Sequence, residues 1–205
     1  MADSVWPLVH TERRALAADL AAVRGDGWTT PSLCAGWTVH EVLAHQVKTA
    51  KLTPPAFVTA LIRSRFSFTR LASNGVAEES RGGPGATLAA FREVIDAATS
   101  PPGPRDSWLG EAIVHSEDIR RPLGLRRDYP IASVVRVLDF YKGSNALIGT
   151  KRRIEGLTLI ATDTTWSHGS GLVIEGPALS LLMAATGRTA HFDDLVGPGL
   201  AMLRG

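Results

Sequence analysis

Two ionisable side chains stand one helical turn apart near the middle of the 205-residue chain. Glu111 and His115 occupy positions i and i+4, which lie on the same face of a helix. A carboxylate and an imidazole placed in this way can share one metal ion, and zinc accepts both kinds of ligand. Catalytic zinc sites typically have three protein ligands and an open position, so a third ligand has to come from another helix. His45 is the candidate, because it lies in the middle of a predicted helix beside an apolar face.

The same spacing also has simpler explanations. A Glu-x-x-x-His pair on a helix often forms only a surface ion pair. Glu41 and His45 repeat the spacing, but Glu41 has another role as the returning half of a capping box with Thr38. On spacing alone, the metal site and the surface ion pair both stay open.

Composition limits the sulfur and metal chemistry that the chain can perform. Cys34 is the only cysteine, which excludes an intrachain disulfide and a cysteine-rich zinc site. The formal net charge of +2 is too small for a broad nucleic-acid footprint. The sequence begins without a signal-peptide pattern, and no apolar run is long enough for a membrane helix. We therefore expect a cytoplasmic protein that binds neither nucleic acid nor membrane, and whose reactive sulfur, if any, comes from a cofactor.

Helices are the elements that would position these side chains. Apolar periodicity predicts helices over residues 4–23, 56–73, 86–98, 107–121 and 131–141. The capping box of Thr38 and Glu41 begins one more, which carries His45. Residues 81–85 and 100–104 are rich in Gly and Pro and are predicted to be loops. Residues 1–142 are thus expected to form an antiparallel helical bundle.

The character of the sequence changes after residue 142. Residues 156–167 favour a strand, residues 168–171 a turn, residues 172–175 a second strand, and residues 178–186 a short apolar helix. About sixty residues cannot build much core alone. We therefore predict that residues 143–205 form a small α/β domain that packs on the bundle.

Two motifs make the chain resemble a known family. PSLCAGWTVHEVLAH at residues 31–45 and GEAIVHSEDIRRPLG at residues 110–124 are similar to the two signatures of the mycothiol-dependent maleylpyruvate isomerase family. That family is a branch of the DinB-like metal-binding four-helix bundles. Asn74 also falls where members often carry Asn, and residues 156–188 resemble the small C-terminal, distantly sterol-carrier-like domain that members append. The resemblance covers nearly the whole chain.

This resemblance implies both cofactors and a site. Members hold zinc or another divalent ion on His, Glu and His, which implies His45, Glu111 and His115 as the ligands here. It further implies mycothiol as a low-molecular-weight thiol cofactor and a small electrophile as substrate. The thiol sulfur would add to an electrophilic carbon, to be eliminated again in an isomerase or to stay attached in an S-transferase.

Three other residues are candidates for contacts near the metal. Asp118, three residues after His115, would orient that ligand or touch the substrate; its alternative is a surface carboxylate paired with Arg121 or Arg14. Arg121 belongs to a group of arginines that either stabilise a helix end through its dipole or bind an anionic substrate or thiol. Arg188 would hold the tail on the bundle or face the metal cleft.

Two functions of other classes compete with the enzyme. One is a DinB-like protein that binds a metal or a small ligand without catalysis. A metal site closed by a fourth protein ligand, such as Asp118, would favour this function. The other is a carrier of an apolar ligand in the C-terminal α/β piece. Cys34 and Trp37 are interpreted as packing residues of the loop before the His45 helix.

Overall fold

The structure, a computed structural model, describes residues 4–146 and 148–204. The chain divides into two compact units, Met1–Arg126 and Arg127–Gly205. The first unit is helical, and the second adds a small sheet to short helices. Among the described residues, no helix is both long and apolar enough to cross a membrane.

Six helices make up the first unit, and a short 3-10 helix at Gly25–Thr29 follows the first of them. Their bounds are α1 Trp6–Leu20, α2 Val39–Lys51, α3 Pro54–Arg63, α4 Phe68–Glu79, α5 Gly83–Glu93 and α6 Asp106–Arg120. The predicted helices over residues 4–23 and 107–121 are confirmed as α1 and α6. The Gly/Pro-rich segment 81–85 is not the loop that we predicted, because α5 begins within it. Pro84 lies in the first turn of α5, where a missing backbone N–H costs nothing.

The predicted capping box begins α2, the helix that carries His45. The hydroxyl of Thr38 accepts a hydrogen bond from the backbone N–H of Glu41 at 3.3 Å. The carboxylate of Glu41 accepts one from the backbone N–H of Thr38 at 2.8 Å. These two bonds satisfy amide groups that have no partner inside the helix, and they engage the carboxylate of Glu41 at the helix start.

Helices α1, α2, α5 and α6 form a four-helix core. Each contributes an apolar face, and the faces meet in one buried cluster. Its largest contributions are Leu16 and Leu20 from α1, Leu43 from α2, Phe91 from α5 and Ile119 from α6. Since His45 lies on α2 and the Glu111–His115 pair on α6, this core fixes the distance between His45 and that pair.

The predicted third helix over residues 56–73 is wrong as one element. The chain breaks between α3 and α4, where Arg65 and Phe66 adopt the left-handed conformation with φ of 53° and 58°. Ser67 then restarts the helix, and its hydroxyl accepts a hydrogen bond from the backbone N–H of Arg70 at 3.3 Å. The apolar pattern runs through this break without interruption, so periodicity did not reveal it.

The second unit begins one helix earlier than predicted. Helix α7, Ile131–Tyr141, was assigned to the bundle from the sequence, but it packs against α9 and belongs to the second unit. Its apolar face, with Val134, Val137 and Leu138, is buried. The remaining elements are α8 Thr150–Arg153, β1 Leu157–Ala161, β2 Ser167–Gly169, β3 Leu172–Gly176, α9 Ala178–Ala185, a 3-10 helix Thr189–Asp194 and α10 Leu200–Arg204.

The three strands lie in the order β2-β1-β3. β1 alternates buried and partly exposed residues as the sequence predicted, but it ends at Ala161 rather than at residue 167. The segment 168–171, predicted to be a turn, contributes to β2, which pairs antiparallel to β1. β3 then pairs parallel to β1 on the other side. Pairing partners of this kind are set by tertiary packing, which the local pattern does not contain.

Candidate metal centre

Three side chains from two helices converge within the first unit. His45 Nε2 on α2 lies 2.7 Å from Glu111 Oε1 on α6, and His115 Nε2 lies 3.6 Å from the same oxygen. One ligand atom from each of the three residues falls within 4.8 Å of the other two. The structure thus brings together the trio that the sequence selected.

The site is partly open to solvent. The side chains of His45, Glu111 and His115 are 20%, 27% and 14% exposed. The two imidazole rings meet edge to face with centroids 5.0 Å apart, and Trp37 packs against His45 with centroids 5.1 Å apart. Ring contacts therefore restrain both imidazoles, while all three side chains keep some exposure to solvent.

Electrostatics keep the carboxylate of Glu111 ionised. Burial raises the pKa of Glu111, but His115 and His45, together with Arg13, outweigh that effect and lower the pKa to about 2. Its Oε1 is buried, and it accepts no well-aligned hydrogen bond from any residue that the structure describes. A buried oxygen in this state, flanked by two imidazole nitrogens, is suited to a cation.

The donor set fits a divalent metal ion. Two ligands of a tetrahedral zinc lie roughly 3.3 Å apart, given bonds of about 2.0–2.1 Å. The separation of 3.6 Å between His115 Nε2 and Glu111 Oε1 is close to that value, whereas the 2.7 Å contact of His45 is a hydrogen-bonding distance. The three ligand atoms all lie within 4.8 Å of one another, so their spacing is compatible with one shared ion.

Asp118 contacts Nδ1 of His115, the ring nitrogen that does not face Glu111. Its carboxylate is fully buried, and Oδ2 lies 2.8 Å from His115 Nδ1. That contact directs Nε2 toward Glu111. Asp118 is therefore not a surface carboxylate, and Arg14, one of its proposed partners, instead pairs with Asp96 at 2.7 Å.

The loop before α2 docks onto this same region. The backbone N–H of Leu33 donates to the carbonyl of Asp118 at 3.1 Å. Ser32 closes the loop by donating from its hydroxyl to the carbonyl of Trp37 at 2.7 Å. Cys34 lies nearby, and its sulfur forms a second group with one atom each of His115 and Asp118 within 4.8 Å. Sequence reasoning assigned Cys34 and Trp37 to loop packing alone, but both reach the ligand residues.

Two buried arginines were missed by the sequence analysis. Arg13 stands between two other charged residues in the sequence, Glu12 and Arg14, yet it is buried and donates to the carbonyls of Val94 and Ala97 at 3.2 and 2.9 Å. Burial lowers the pKa of Arg13 to about 10, although the charge of Glu111 opposes this. Its positive charge also favours the ionised form of Glu111.

Arg120 precedes Arg121 in the group of arginines at the end of α6, for which stabilisation of the helix end was one alternative. It is instead fully buried, and its Nε donates to Asp19 Oδ2 at 2.7 Å. No local signal reveals this pairing, because its partner lies on α1, far away in the sequence. Most residues of α6, including Ile119 beside it, are buried, so this helix offers little exposed surface for a cation.

The other two arginine candidates lie on different elements. Arg121 is exposed and caps the C-terminal end of α6. Arg188 lies in the second unit, where its guanidinium donates to the carbonyl of Thr186 at 2.9 Å. A role for either in binding a cofactor stays a prediction.

Comparison with known proteins agrees with this fold. The crystal structure of a mycothiol-dependent maleylpyruvate isomerase matches with a TM-score of 0.65 at 17% identity, covering 94% of this chain and 91% of that one. A mutant of that isomerase, with one histidine replaced by alanine, matches with the same TM-score and coverage at 16% identity. No curated protein shows a significant similarity. The family model described as mycothiol maleylpyruvate isomerase N-terminal domain matches residues 9–120. Because this match spans more than half of the chain and contains the whole trio, the chain belongs to that family.

Proposed function

We propose that this protein is a metal-dependent enzyme that uses a low-molecular-weight thiol, mycothiol, to attack a small electrophilic substrate. The observation that carries the proposal is the convergence of His45, Glu111 and His115 on a partly open site. The names of the family and of the two similar crystal structures support a thiol and an isomerisation. An S-transferase, in which the sulfur stays on the substrate, would use the same residues.

We propose different roles for the residues of the site. His45, Glu111 and His115 would hold the ion, for which zinc suits a set of two nitrogens and one carboxylate oxygen. When bound there, a divalent cation lowers the pKa of a thiol that coordinates it and favours the reactive thiolate. Asp118 fixes the tautomer of His115 by accepting from Nδ1, which leaves Nε2 as the ligand atom.

The surroundings would bind and shield the reactants. Trp37 covers one side of His45 and excludes water from that face. Arg121 and Arg188 are the cations that we propose for a carboxylate of the substrate or of the thiol, because guanidinium binds carboxylates with two parallel hydrogen bonds. Arg13 supports the site from behind by favouring the ionised form of Glu111.

A metal-binding protein without catalysis is the competing function. The group of Cys34, His115 and Asp118 favours it, since it is a second set of possible metal ligands that shares His115 with the trio. Against it, Asp118 is engaged with the opposite nitrogen of His115, so it does not act as a fourth ligand in this arrangement. An open position is what catalysis requires.

Metal analysis combined with a thiol-consumption screen tests the proposal. The wild-type protein, His45→Ala and His115→Ala would be assayed for bound divalent metal and for loss of mycothiol against a panel of electrophiles. His10→Ala is the matched control, because His10 bonds to the carbonyl of Ala97 and lies outside the trio.

The wild type and the His10 control should hold about one metal ion per chain and consume thiol with at least one electrophile. Both trio variants should lose the metal and the activity while staying folded. Metal without thiol consumption across the panel would favour the binding protein. A wild-type protein without stoichiometric metal would refute the whole proposal.

A further inference from the structure

Helix α3 is rich in apolar residues, yet none of its residues, all of which the structure describes, is buried. Val58 and Ile62 are exposed on it. Phe66 in the turn to α4 and Phe68 at the start of α4 are 72% and 65% exposed. We call Val58, Ile62, Phe66 and Phe68 the apolar tip. Single exposed apolar residues are normal, but a contiguous group marks a surface that binds another body.

The apolar tip is one surface rather than four separate side chains. Val58 and Ile62 occupy positions i and i+4, which lie on the same face of α3. The ring of Phe57, next to Val58, lies 6.4 Å from the ring of Phe68, which joins α3 to the start of α4. Phe66 stands in the turn between the two helices. The exposed apolar surface therefore spans both helices.

The turn that carries Phe66 is not the one that its residue types favour. Helix α3 ends in a Schellman motif, in which the N–H of Arg65 donates to the carbonyl of Ile62 and the N–H of Phe66 to that of Leu61. Glycine usually follows the helix in this motif, because the backbone there is left-handed. Arg65 and Phe66 adopt φ of 53° and 58° although their side chains disfavour it. The turn alone thus does not explain an arginine and a phenylalanine here.

Cations flank the apolar tip in the chain. Arg63, Arg65 and Arg70 are exposed, and none of them makes an ion pair with a carboxylate that the structure describes. Residues 42–77 contain no Asp or Glu at all. A second copy of the same face would bring these arginines against each other, since a two-fold interface pairs a surface with itself. The partner of this surface must accept apolar side chains and carry negative charge.

An anionic lipid surface meets both requirements. Phenylalanine and aliphatic side chains enter the boundary between headgroups and acyl chains, and basic residues are attracted to anionic headgroups. An acidic protein would need pockets that fit Phe66 and Phe68, whereas lipid adapts to side chains that are this exposed. The expectation that the chain binds no membrane rested on the lack of an apolar run that could span a bilayer. That lack does not bear on a helix that lies in the interface.

We propose that the apolar tip docks this protein reversibly on an anionic membrane surface, with the rings of Phe66 and Phe68 inserted at the level of the headgroups. Arg63, Arg65 and Arg70 contact the lipid phosphates. This docking goes beyond the proposed function and does not depend on it.

Flotation of the full-length protein with vesicles tests this docking. The vesicles contain phosphatidylglycerol and phosphatidylcholine in equal parts, or phosphatidylcholine alone. The wild type should bind the anionic vesicles with a partition constant on the order of 10⁴ M⁻¹, comparable to that of a single acyl chain. Binding to the neutral vesicles should be about tenfold weaker or less, because the attraction of the arginines is lost. High salt should reduce the difference by screening the charges.

Glycine variants of the turn separate binding from folding. Phe66→Gly should weaken binding to the anionic vesicles about tenfold, since the transfer of one ring into the interface is lost. Arg65→Gly should weaken it about fivefold, which is the effect of one cation near an anionic surface. The thermal midpoint of both variants should stay about that of the wild type, because glycine adopts the left-handed conformation readily.

Val196→Ala and Arg92→Gln are the matched controls. They remove part of an exposed apolar side chain in the second unit and an exposed cation of α5. Both should bind the anionic vesicles within about twofold of the wild type. A wild type that does not float with anionic vesicles, or glycine variants that bind them as well as the wild type does, would overturn the proposal. A wild type that binds no vesicle but forms a dimer that Phe66→Gly dissociates would also overturn it, in favour of a protein interface.

Discussion

The contact between Asp118 and His115 makes a quantitative prediction about metal affinity. Asp118→Asn keeps the size of the side chain and removes its charge at a fully buried position, 2.8 Å from His115 Nδ1. Hydrogen bonds to charged groups contribute about 1.5–3 kcal/mol, against about 0.5–1.5 kcal/mol for neutral pairs. The difference of roughly 1–1.5 kcal/mol corresponds to about a fivefold to tenfold loss of affinity. The loss of zinc affinity approaches about 100-fold if the amide NH₂ of the new asparagine side chain turns toward the ring of His115 and disturbs its tautomer.

Competition with a chromophoric chelator at pH 7.5 measures the zinc affinity of each variant. Glu93→Gln is the control, because Glu93 is an exposed carboxylate of α5 that forms no ion pair with any described residue. The thermal midpoint of the metal-free proteins separates loss of stability from loss of affinity. A folded Asp118→Asn protein that binds zinc within about twofold of the wild type would refute the positioning role, whatever its stability.

Three further predictions concern the fold. Gly171→Ala should reduce the free energy of unfolding by more than about 2 kcal/mol in chemical denaturation, since a Cβ there would overlap the carbonyl of Gly156 and φ is 137°; a stable variant would contradict the parallel pairing. Phe91→Ala should cost about 3–5 kcal/mol in the same assay, because the ring is fully buried in the core. His40, whose Nε2 lies 2.8 Å from Thr87, has a pKa lowered by burial, with the charge of Glu41 opposing. Its neutral form is therefore favoured in the folded state, so stability should fall as the pH drops below about 6.5. In His40→Gln the loss of stability below about pH 6.5 should be smaller than in the wild type. An unchanged pH profile of stability would contradict this role of His40.

The bundle was predictable because its helices carry strong local signals. The capping box of Thr38 and Glu41 defines the start of α2, and Pro122 and Gly124 follow the end of α6. Spacing alone left the pairing of Glu111 and His115 ambiguous, with His45 as the candidate third residue, and the resemblance of the two motifs implied the same trio. The meeting of the three side chains depends on the packing of α2 on α6, which no single segment encodes.

Other features depended on contacts between distant parts of the chain. The break at Arg65 and Phe66 leaves the apolar pattern intact, so a continuous helix was the natural expectation. Arg13 and Arg120 resemble surface cations in the sequence because their partners, the carbonyl of Val94 and the carboxylate of Asp19, lie far away along the chain. Burial of a charged group is decided by the partner that compensates it, and a local pattern does not contain that partner.

The arrangement of polar groups on α6 is costly unless it serves binding. Glu111, His115 and Asp118 occupy positions i, i+4 and i+7, so they form one polar stripe along a helix that is otherwise largely buried. Removing carboxylates from water carries a penalty that an apolar stripe would avoid. The stripe is only partly compensated within the chain: Asp118 has His115, but Oε1 of Glu111 is buried, ionised and shared between two imidazoles. A divalent cation at that oxygen would complete the compensation, and this is the physical reason for expecting metal binding to stabilise the fold as well as to create the site.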